Sequence, residues 1–426
     1  MHLFTSLLLL IVVARILGHL MTRLRQPAII GELAAGVLLG PSVLDVVHMS
    51  EPLAGIAGLA IFFIVLSAGM EMKFDDIVSA ARGRGMLIAL MSFAMPLAAG
   101  LLIGLFAGLP PTRTMVLALC MSITALPVAV RILESFGLLN SRIARYSIAC
   151  AVINDLVALM LLGLLLDVPR HAGFAAVAGA TLTGGGKLIL LIAVIVGMEY
   201  ALRAITGSGP GRTPSGFAQK VSGWFGGEAM FGVVVLFVLV FASISEMLGF
   251  HSVIGAFFGG LLISREMFVA SRYNQLEQTI NSVSRGFLAP VFFATLGLEF
   301  SIKDMPSWWF VGIVLAASIA FKILPGWIGG RMAGLSKPEA LGLGFMLNGR
   351  GVMELVVAQI ALDRGFISLG LFSTLVLMGV VTTLMTPLLF RLVSRRIPRP
   401  EPQPAQPAAS SGSSAGTKSG ATRDSA

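Results

Sequence analysis

Apolar runs of about twenty residues, separated by short polar segments, dominate the chain. Thirteen can be marked, at roughly 3–22, 27–44, 52–72, 85–108, 113–135, 142–166, 184–205, 227–248, 250–264, 280–302, 307–330, 338–362 and 367–393. A helix rising 1.5 Å per residue needs about twenty residues to cross a hydrocarbon core of about 30 Å. The pattern therefore predicts an all-α polytopic membrane protein with about thirteen transmembrane helices. Runs two and nine are short, which predicts tilted or partly inserted helices. The polar segments fix the orientation. With the N-terminus outside, the inward segments hold fourteen basic residues, among them Arg23, Lys73, Arg142, Arg265 and Lys337; the outward ones hold four, Arg113, Arg170, Lys303 and Arg364. Cytoplasmic loops carry the excess of Lys and Arg, so the topology reads N-out, C-in. Removing one run would scramble this alternation.

The pattern also repeats. Run two contains Ile30-Gly31 and then Gly36; run nine contains Ile254-Gly255 and then Gly260. Run three has Phe62-Phe63 followed by Leu66, Gly69 and Glu71, and run ten has Phe292-Phe293 followed by Leu296, Gly297 and Glu299. The copies stand about seven runs apart. An odd offset turns the second copy upside down, as in the inverted repeats of secondary transporters, whose site lies between the repeats at the membrane midplane. The expected organisation is a first repeat over 1–166 (runs one to six) and a linker helix over 184–205. A Gly-, Pro- and Ser-rich cytoplasmic loop follows over 206–226, then a second repeat over 227–396 (runs eight to thirteen). The Pro-, Ala- and Ser-rich segment 397–426 reads as a disordered tail.

Composition narrows the class. Of 426 residues, 56% are hydrophobic and 12% charged, and the mean hydropathy is +0.91; a soluble core cannot use so much apolar residue. The net charge of +9 is spread over loops rather than gathered in a nucleic-acid-binding patch. The five histidines do not cluster and the two cysteines, Cys120 and Cys150, fall inside apolar runs, so neither a zinc site nor a disulfide framework is expected. No cofactor is implied. The first run has no basic segment ahead of it and no small-residue cleavage site after it, and reads as a retained helix.

The candidate chemistry lies in the few polar residues inside the runs. Ala149 to Leu161 reads ACAVINDLVALML, which puts Asn154 and Asp155 in the middle of run six. A carboxylate near the bilayer centre costs about 2.5–3.5 kcal/mol on insertion scales, and such residues mark ion and proton pathways. Asp155 is read as alternately holding a proton and a monovalent cation. In run five, CMSITALPVAVRILES, Pro127 predicts a break between Thr124 and Pro127. In run twelve, GLGFMLNGRGVMELVVA, Gly349 and Gly351 bracket Arg350 and predict a second unwound centre. Freed carbonyls at such breaks can bind a cation, and Thr124 adds a hydroxyl. Arg131 and Glu134, and Arg350 and Glu354, are read as structural charges that neutralise the ends of the broken helices. Lys322 lies about ten residues from either end of run eleven, too deep to reach the interface easily, and needs a partner. The Asn154/Asp155 pair is the candidate, with Lys322 as charge partner or proton carrier.

Together these stretches resemble the monovalent cation:proton antiporters, in the branch of Kef-type potassium efflux systems and plant cation/proton exchangers. The resemblance rests on QPAIIGELAAGVLLGPSVL, FFIVLSAGMEM, TALPVAVRILESFGLLNSRIARYSIACAVINDLVA, APVFFATLGLEFSI and GRGVMELVVAQ, in family order. It implies crossed discontinuous helices in runs five and twelve, elevator-like movement of a core domain against a dimerisation domain, a homodimer, and a place in the cell inner (cytoplasmic) membrane. It maps the family's ion-binding aspartate to Asp155, its neighbour to Asn154, its basic residue to Lys322, and a position near the ion to Thr124. Electrogenic relatives carry two adjacent aspartates where this chain has Asn154-Asp155. One carboxylate fewer implies one proton per cation and electroneutral exchange, unless Lys322 titrates and supplies a second proton. The expected function is secondary antiport of Na+ or K+ against H+. A cation channel or uniporter is the rival, but no selectivity-filter motif is present. An enzyme acting on lipid would need converging His, Asp or Glu near an interface, which the sequence does not offer.

Overall fold

The computed structural model describes residues 2–24, 26–72, 84–124, 126–138, 141–166, 227–263 and 270–397, with scattered helical residues between 186 and 204. All regular structure among the described residues is helical. The helices are α1 (Leu3–Arg23), α2 (Ala28–Leu39), α3 (Glu51–Glu71), α4 (Arg84–Phe106), α5 (Pro111–Ser122), α6 (Leu126–Ser135), α7 (Arg142–Leu166), α8 (Gly227–Met247), α9 (Ser252–Leu261), α10 (Ala270–Val283), α11 (Ala289–Glu299), α12 (Trp308–Met332), α13 (Lys337–Leu347), α14 (Val352–Asp363) and α15 (Leu369–Ser394). A π-helical turn, Ser284–Leu288, joins α10 to α11.

The ends follow local chemistry. Ser307 and Ser368 cap α12 and α15 by accepting from backbone N–H groups. Ser336 and Glu339 form a capping box at the start of α13. Eight described spans are long and apolar enough to cross a membrane, α13 and α14 counting together as one. Their outer faces are apolar. Phe4, Leu8, Val12, Ile16 and Leu20 of α1 make an exposed stripe, and Trp308 and Trp309 stand exposed at the start of α12, as interfacial tryptophans do.

Most predicted runs match helices to within a few residues. Runs five and twelve are each two helices, α5 with α6 and α13 with α14. Run ten begins ten residues earlier than its hydropathy suggests, because α10, ASRYNQLEQTINSV, is too polar to read as apolar sequence. Of the linker helix, residues 186–187, 190, 193–201 and 204 are described and helical, while the loop 206–226 and the tail beyond Ile397 lie wholly outside the described residues.

Packing divides the helices into two bundles. One holds α1, α2, α3 and α8 to α11; the other holds α4 to α7 and α12 to α15. The main direct contact between them is α7 against α9, where Gly163 lies under Phe250 and Ile254. Within each bundle, small residues let backbones touch, as in membrane helices generally. A Cβ on Gly36 of α2 would overlap the Ala294 carbonyl of α11, and one on Gly260 of α9 would come within 2.5 Å of the Leu66 carbonyl of α3. In the other bundle Gly100 meets Ala118 (α4 on α5) and Gly326 meets Gly344 (α12 on α13). The close approaches thus come in matched pairs, one from each half of the chain. They also set the register. Gly69 packs on α9 as Gly297 packs on α2, so Glu71 and Glu299 correspond, whereas the two Phe-Phe pairs are two residues out of step.

Candidate ion-binding site at two broken helices

The site is built around the interruptions. α5 stops at Ser122 and Ile123 is extended (φ −70, ψ 146). α6 restarts at Leu126, with Pro127 in its first turn, where a missing N–H costs nothing. The proline therefore starts the second half-helix instead of kinking a continuous one. α13 stops at Leu347, and Asn348 to Gly351 lead into α14, with Gly351 fully extended (φ −172, ψ −143). The two breaks touch: Thr124 Oγ1 donates to the Leu347 carbonyl at 3.3 Å.

A helix C-terminus leaves carbonyls without partners and carries partial negative charge. At the end of α5 two buried cations answer them. Arg350 donates from Nη1 to the Cys120 carbonyl (2.5 Å) and from Nη2 to the Met121 carbonyl (2.8 Å). Lys322 Nζ donates to the Ser122 carbonyl (2.5 Å), to Thr124 Oγ1 (2.7 Å) and to the Ser92 carbonyl of α4 (3.1 Å). All three ammonium protons of Lys322 thus meet neutral oxygens. Lys322 makes no direct ion pair with Asp155 among the described residues; it reaches Asn154 through Thr124 and Ser92, which both residues contact. Arg350 and Lys322 are both fully buried.

Asn154 and Asp155 lie mid-way along α7, 0% and 2% exposed. The Asn154 amide lies 3.1 Å from Thr124 Oγ1 and 3.3 Å from Ser92 Oγ. Every amide atom has a complementary partner when the nitrogen donates to the carbonyls of Ala89 and Cys150, each at 3.3 Å, and the oxygen accepts from Thr124, whose single proton then serves Asn154 in place of the Leu347 carbonyl. Asp155 Oδ1 is buried with no hydrogen-bond partner.

The remaining charges separate. Arg350 Nη1 and Glu354 Oε2 are 3.8 Å apart and both side chains are wholly buried. Glu134 is exposed on the last turn of α6, remote from the break, and makes no ion pair among the described residues. The Arg131 side chain lies outside the described residues. Sequence reasoning missed Ser92, Asn348 and Thr383. Thr383 Oγ1 donates to the Arg350 carbonyl at 2.8 Å. A signal for it existed: Val152 to Leu156 reads VINDL and Val380 to Leu384 reads VVTTL, so Thr382-Thr383 stands in the second half where Asn154-Asp155 stands in the first.

Chemically, the site offers one carboxylate with a free oxygen, an amide oxygen, a hydroxyl and a helix end, all shielded from solvent. Oxygen ligands of this kind suit a hard cation or a proton; soft metals select thiolate, and imidazole suits zinc and copper. Among the described residues no group of three His, Cys, Asp or Glu side chains gathers to hold a metal.

The family model described as "Sodium/hydrogen exchanger, transmembrane" matches residues 7–394. The chain belongs to the sodium/hydrogen exchanger family. This exchanger-family chain is 29% identical over 405 residues to cation/H(+) antiporter 20 of Arabidopsis thaliana, covering 89% of itself but only 47% of that protein; it thus spans about half the length of its plant relatives. It is 23% identical to the Na(+)/H(+)-K(+) antiporter GerN of Bacillus cereus, covering 90% of itself and 94% of GerN. It is 26% identical to the Na(+)/H(+) antiporter NhaS4 of Synechocystis, with 89% and 94% covered. The solved sodium proton antiporter MjNhaP1 of Methanocaldococcus jannaschii has the same fold, with a TM-score of 0.67 over 93% of this chain and 99% of that one, at 16% identity. The family resemblance carried by the motifs is borne out, and the relatives are transporters, not enzymes.

Proposed function

We propose that the protein is a secondary antiporter that exchanges a monovalent cation, Na+ or K+, for H+ across the cell inner membrane, with Asp155 binding each in turn. The observation that carries the reading is the buried Asp155 with an unpartnered oxygen beside two crossing helix breaks. An ionised carboxylate so placed is costly at about 2.5–3.5 kcal/mol. A proton or a dehydrated cation removes that cost, and the two compete for the same oxygen. Asn154 and Thr124 supply further oxygens, while Lys322 and Arg350 hold the end of α5. Either loaded form neutralises Asp155 and lets the core cross the barrier. The empty, charged form resists crossing, and this prevents leak.

The two-bundle division supports an elevator-type movement, the bundle of α4 to α7 and α12 to α15 sliding on the other. The matched glycine contacts support two inverted repeats, the bias of basic residues towards alternate loops supports thirteen spans with N-out and C-in, and the family resemblance supports a homodimer. A single aspartate, with Lys322 fully engaged as a cap, supports one proton per cation and electroneutral exchange.

The test uses inside-out vesicles energised to an acid lumen, with a fluorescent pH probe and additions of Na+, K+ and Li+. Dequenching by one or more cations is expected with the wild type and is expected to vanish in Asp155→Asn. Exchange that survives in Asp155→Asn would sink the assignment of Asp155.

A further inference from the structure

Four acidic or basic side chains are buried where the broken helices meet: Asp155, Lys322, Arg350 and Glu354. The exchange reading employs the first three and leaves Glu354 without a task. Glu354 sits in the first turn of α14, wholly buried, and neither of its oxygens accepts a hydrogen bond. Arg350 lies one turn before it, but both guanidinium Nη groups point to the Cys120 and Met121 carbonyls. Its Nη1 stands 3.8 Å from Glu354 Oε2, beyond hydrogen-bonding range. Nearby, both polar atoms of the Asn348 side chain and Arg350 Nε are also unpartnered.

The elements around Glu354 present few other charges. α15 offers Gly379, where a Cβ would lie 3.5 Å from Oε2, followed by the neutral Thr382 and Thr383. α5 contributes the Cys120 thiol and α12 contributes Lys322, which with Arg350 are the titratable groups sharing its field. Burying an ionised carboxylate without one hydrogen bond costs more than burying a neutral carboxyl, and the charges of Arg350 and Lys322 offset part of the difference. When the proton leaves, Glu354 becomes the strongest acceptor within reach of Arg350. An approach of about 1 Å would bring Nη1 to charge-assisted bonding distance, and it would release the carbonyl that Nη1 now holds.

We propose that Glu354 is a second proton-binding residue of the core, and that its deprotonation draws Arg350 Nη1 off the Cys120 carbonyl, freeing that carbonyl at the negative end of α5 for the transported cation. Proton loss at one broken helix thereby raises cation affinity at the other; the Glu354 proton leaves and returns on the same side of the membrane, so it gates exchange without being carried and one proton per cation still crosses. The consequence for transport rests on the exchange reading; the titration of Glu354 does not.

Two measurements on the full chain in lipid test it. In the first, acid-minus-alkaline infrared difference spectra are recorded without transported cation for the wild type, Asp155→Asn, Glu354→Gln and the double variant. The protonated-carboxyl band should contain two core contributions, one lost with each substitution and both lost in the double variant. A Glu354→Gln spectrum identical to the wild type overturns the proposal. In the second, exchange is followed against pH in proteoliposomes. Glu354→Gln fixes the neutral form, so exchange should fall on the alkaline side by about tenfold, the scale of one charge-assisted hydrogen bond. It should be unchanged on the acid side, where wild-type Glu354 already carries its proton. A wild-type profile, or an equal loss at every pH as a merely structural residue would give, overturns the proposal. Should Glu354→Gln fail to elute as a folded protein, Glu354→Asp is compared instead. Its band should shift without vanishing, and an unshifted band counts against the proposal. Exchange persisting in Asp155→Asn while the Glu354 band is present would remove the exchange reading and leave the titration standing.

Discussion

Lys322 is the residue whose role the contacts change most. At sequence level a lysine deep in an apolar run asks for a carboxylate, and Asp155 is the obvious candidate. In the structure its ammonium closes on two carbonyls and a hydroxyl, and Asp155 is left with an open oxygen. These interactions need a positive charge at that point but not a proton that comes and goes. A guanidinium is always charged and can supply the same donors. Lys322→Arg is therefore expected to retain exchange within about tenfold of the wild type, the loss reflecting imperfect geometry at one charge-assisted contact. With the membrane potential clamped at different values the rate should not change in either protein. Loss of all exchange in Lys322→Arg, with the fold intact by thermal melting, would show that Lys322 carries a proton and that the single-carboxylate stoichiometry is wrong. The intramembrane polar residues were legible in the sequence because bilayer chemistry makes each one conspicuous. Their partners were not, since the acceptors are backbone carbonyls of Ser92, Ser122, Cys120 and Met121, and a carbonyl has no residue type to read.

At the scale of elements, helix pairing depends on positions with no side chain. Gly36 and Gly260 are each pressed against the backbone of a neighbouring helix, α11 and α3 respectively, while Gly58 of α3 has nothing within 4 Å of its Cβ position. Replacing glycine by alanine in a helix is favourable by about 1 kcal/mol from propensity alone, but overpacking costs about 1–3 kcal/mol or more where backbone must move. Gly36→Ala should therefore lower the thermal melting temperature in detergent, and Gly58→Ala should leave it unchanged or raise it. Equal behaviour of the two would mean that α2 and α11 are not packed as described. The same positions show how much of the architecture could be read beforehand. Ile-Gly and the glycine that follows recur in runs two and nine because both short helices must lie flush against two neighbours. The interruptions between Ser122 and Leu126 and between Leu347 and Val352 were signalled by Pro127 and by Gly349 and Gly351. The early start of α10 was hidden, because its polar residues face partners that hydropathy cannot see: Asn281 Oδ1 accepts from Ser67 of α3, and Arg285 in the π-turn pairs with Glu71.

For the whole molecule the question is whether the two bundles move as bodies. Their interface is lean: α7 meets α9 at Gly163, under Phe250 and Ile254, while the tight backbone approaches fall inside each bundle. A sliding boundary should look like this, with side chains in contact across it and the locked glycine contacts kept to either side. Asp155 rides on α7, two turns from that boundary, so a shift of α7 along α9 would carry its carboxylate with it. Tethering the two helices should stop transport without touching the site. In a chain with Cys120 and Cys150 replaced by alanine, cysteines at Gly163 and Ile254 would be bridged by a short bis-methanethiosulfonate, which forms a reducible disulfide at each thiol and releases methanesulfinate. Exchange is expected to fall by tenfold or more on bridging, since one covalent link is far stronger than any difference between loaded and empty forms, and to return on reduction. Cation binding measured on the bridged protein should persist, because the site stays assembled on one side. Undiminished exchange in a fully bridged sample would mean that access alternates by local rearrangement at the helix breaks, with the bundles at rest. The cation and the proton would then have to reach Asp155 through paths that open and close around Thr124 and Leu347, instead of by carriage of the whole core.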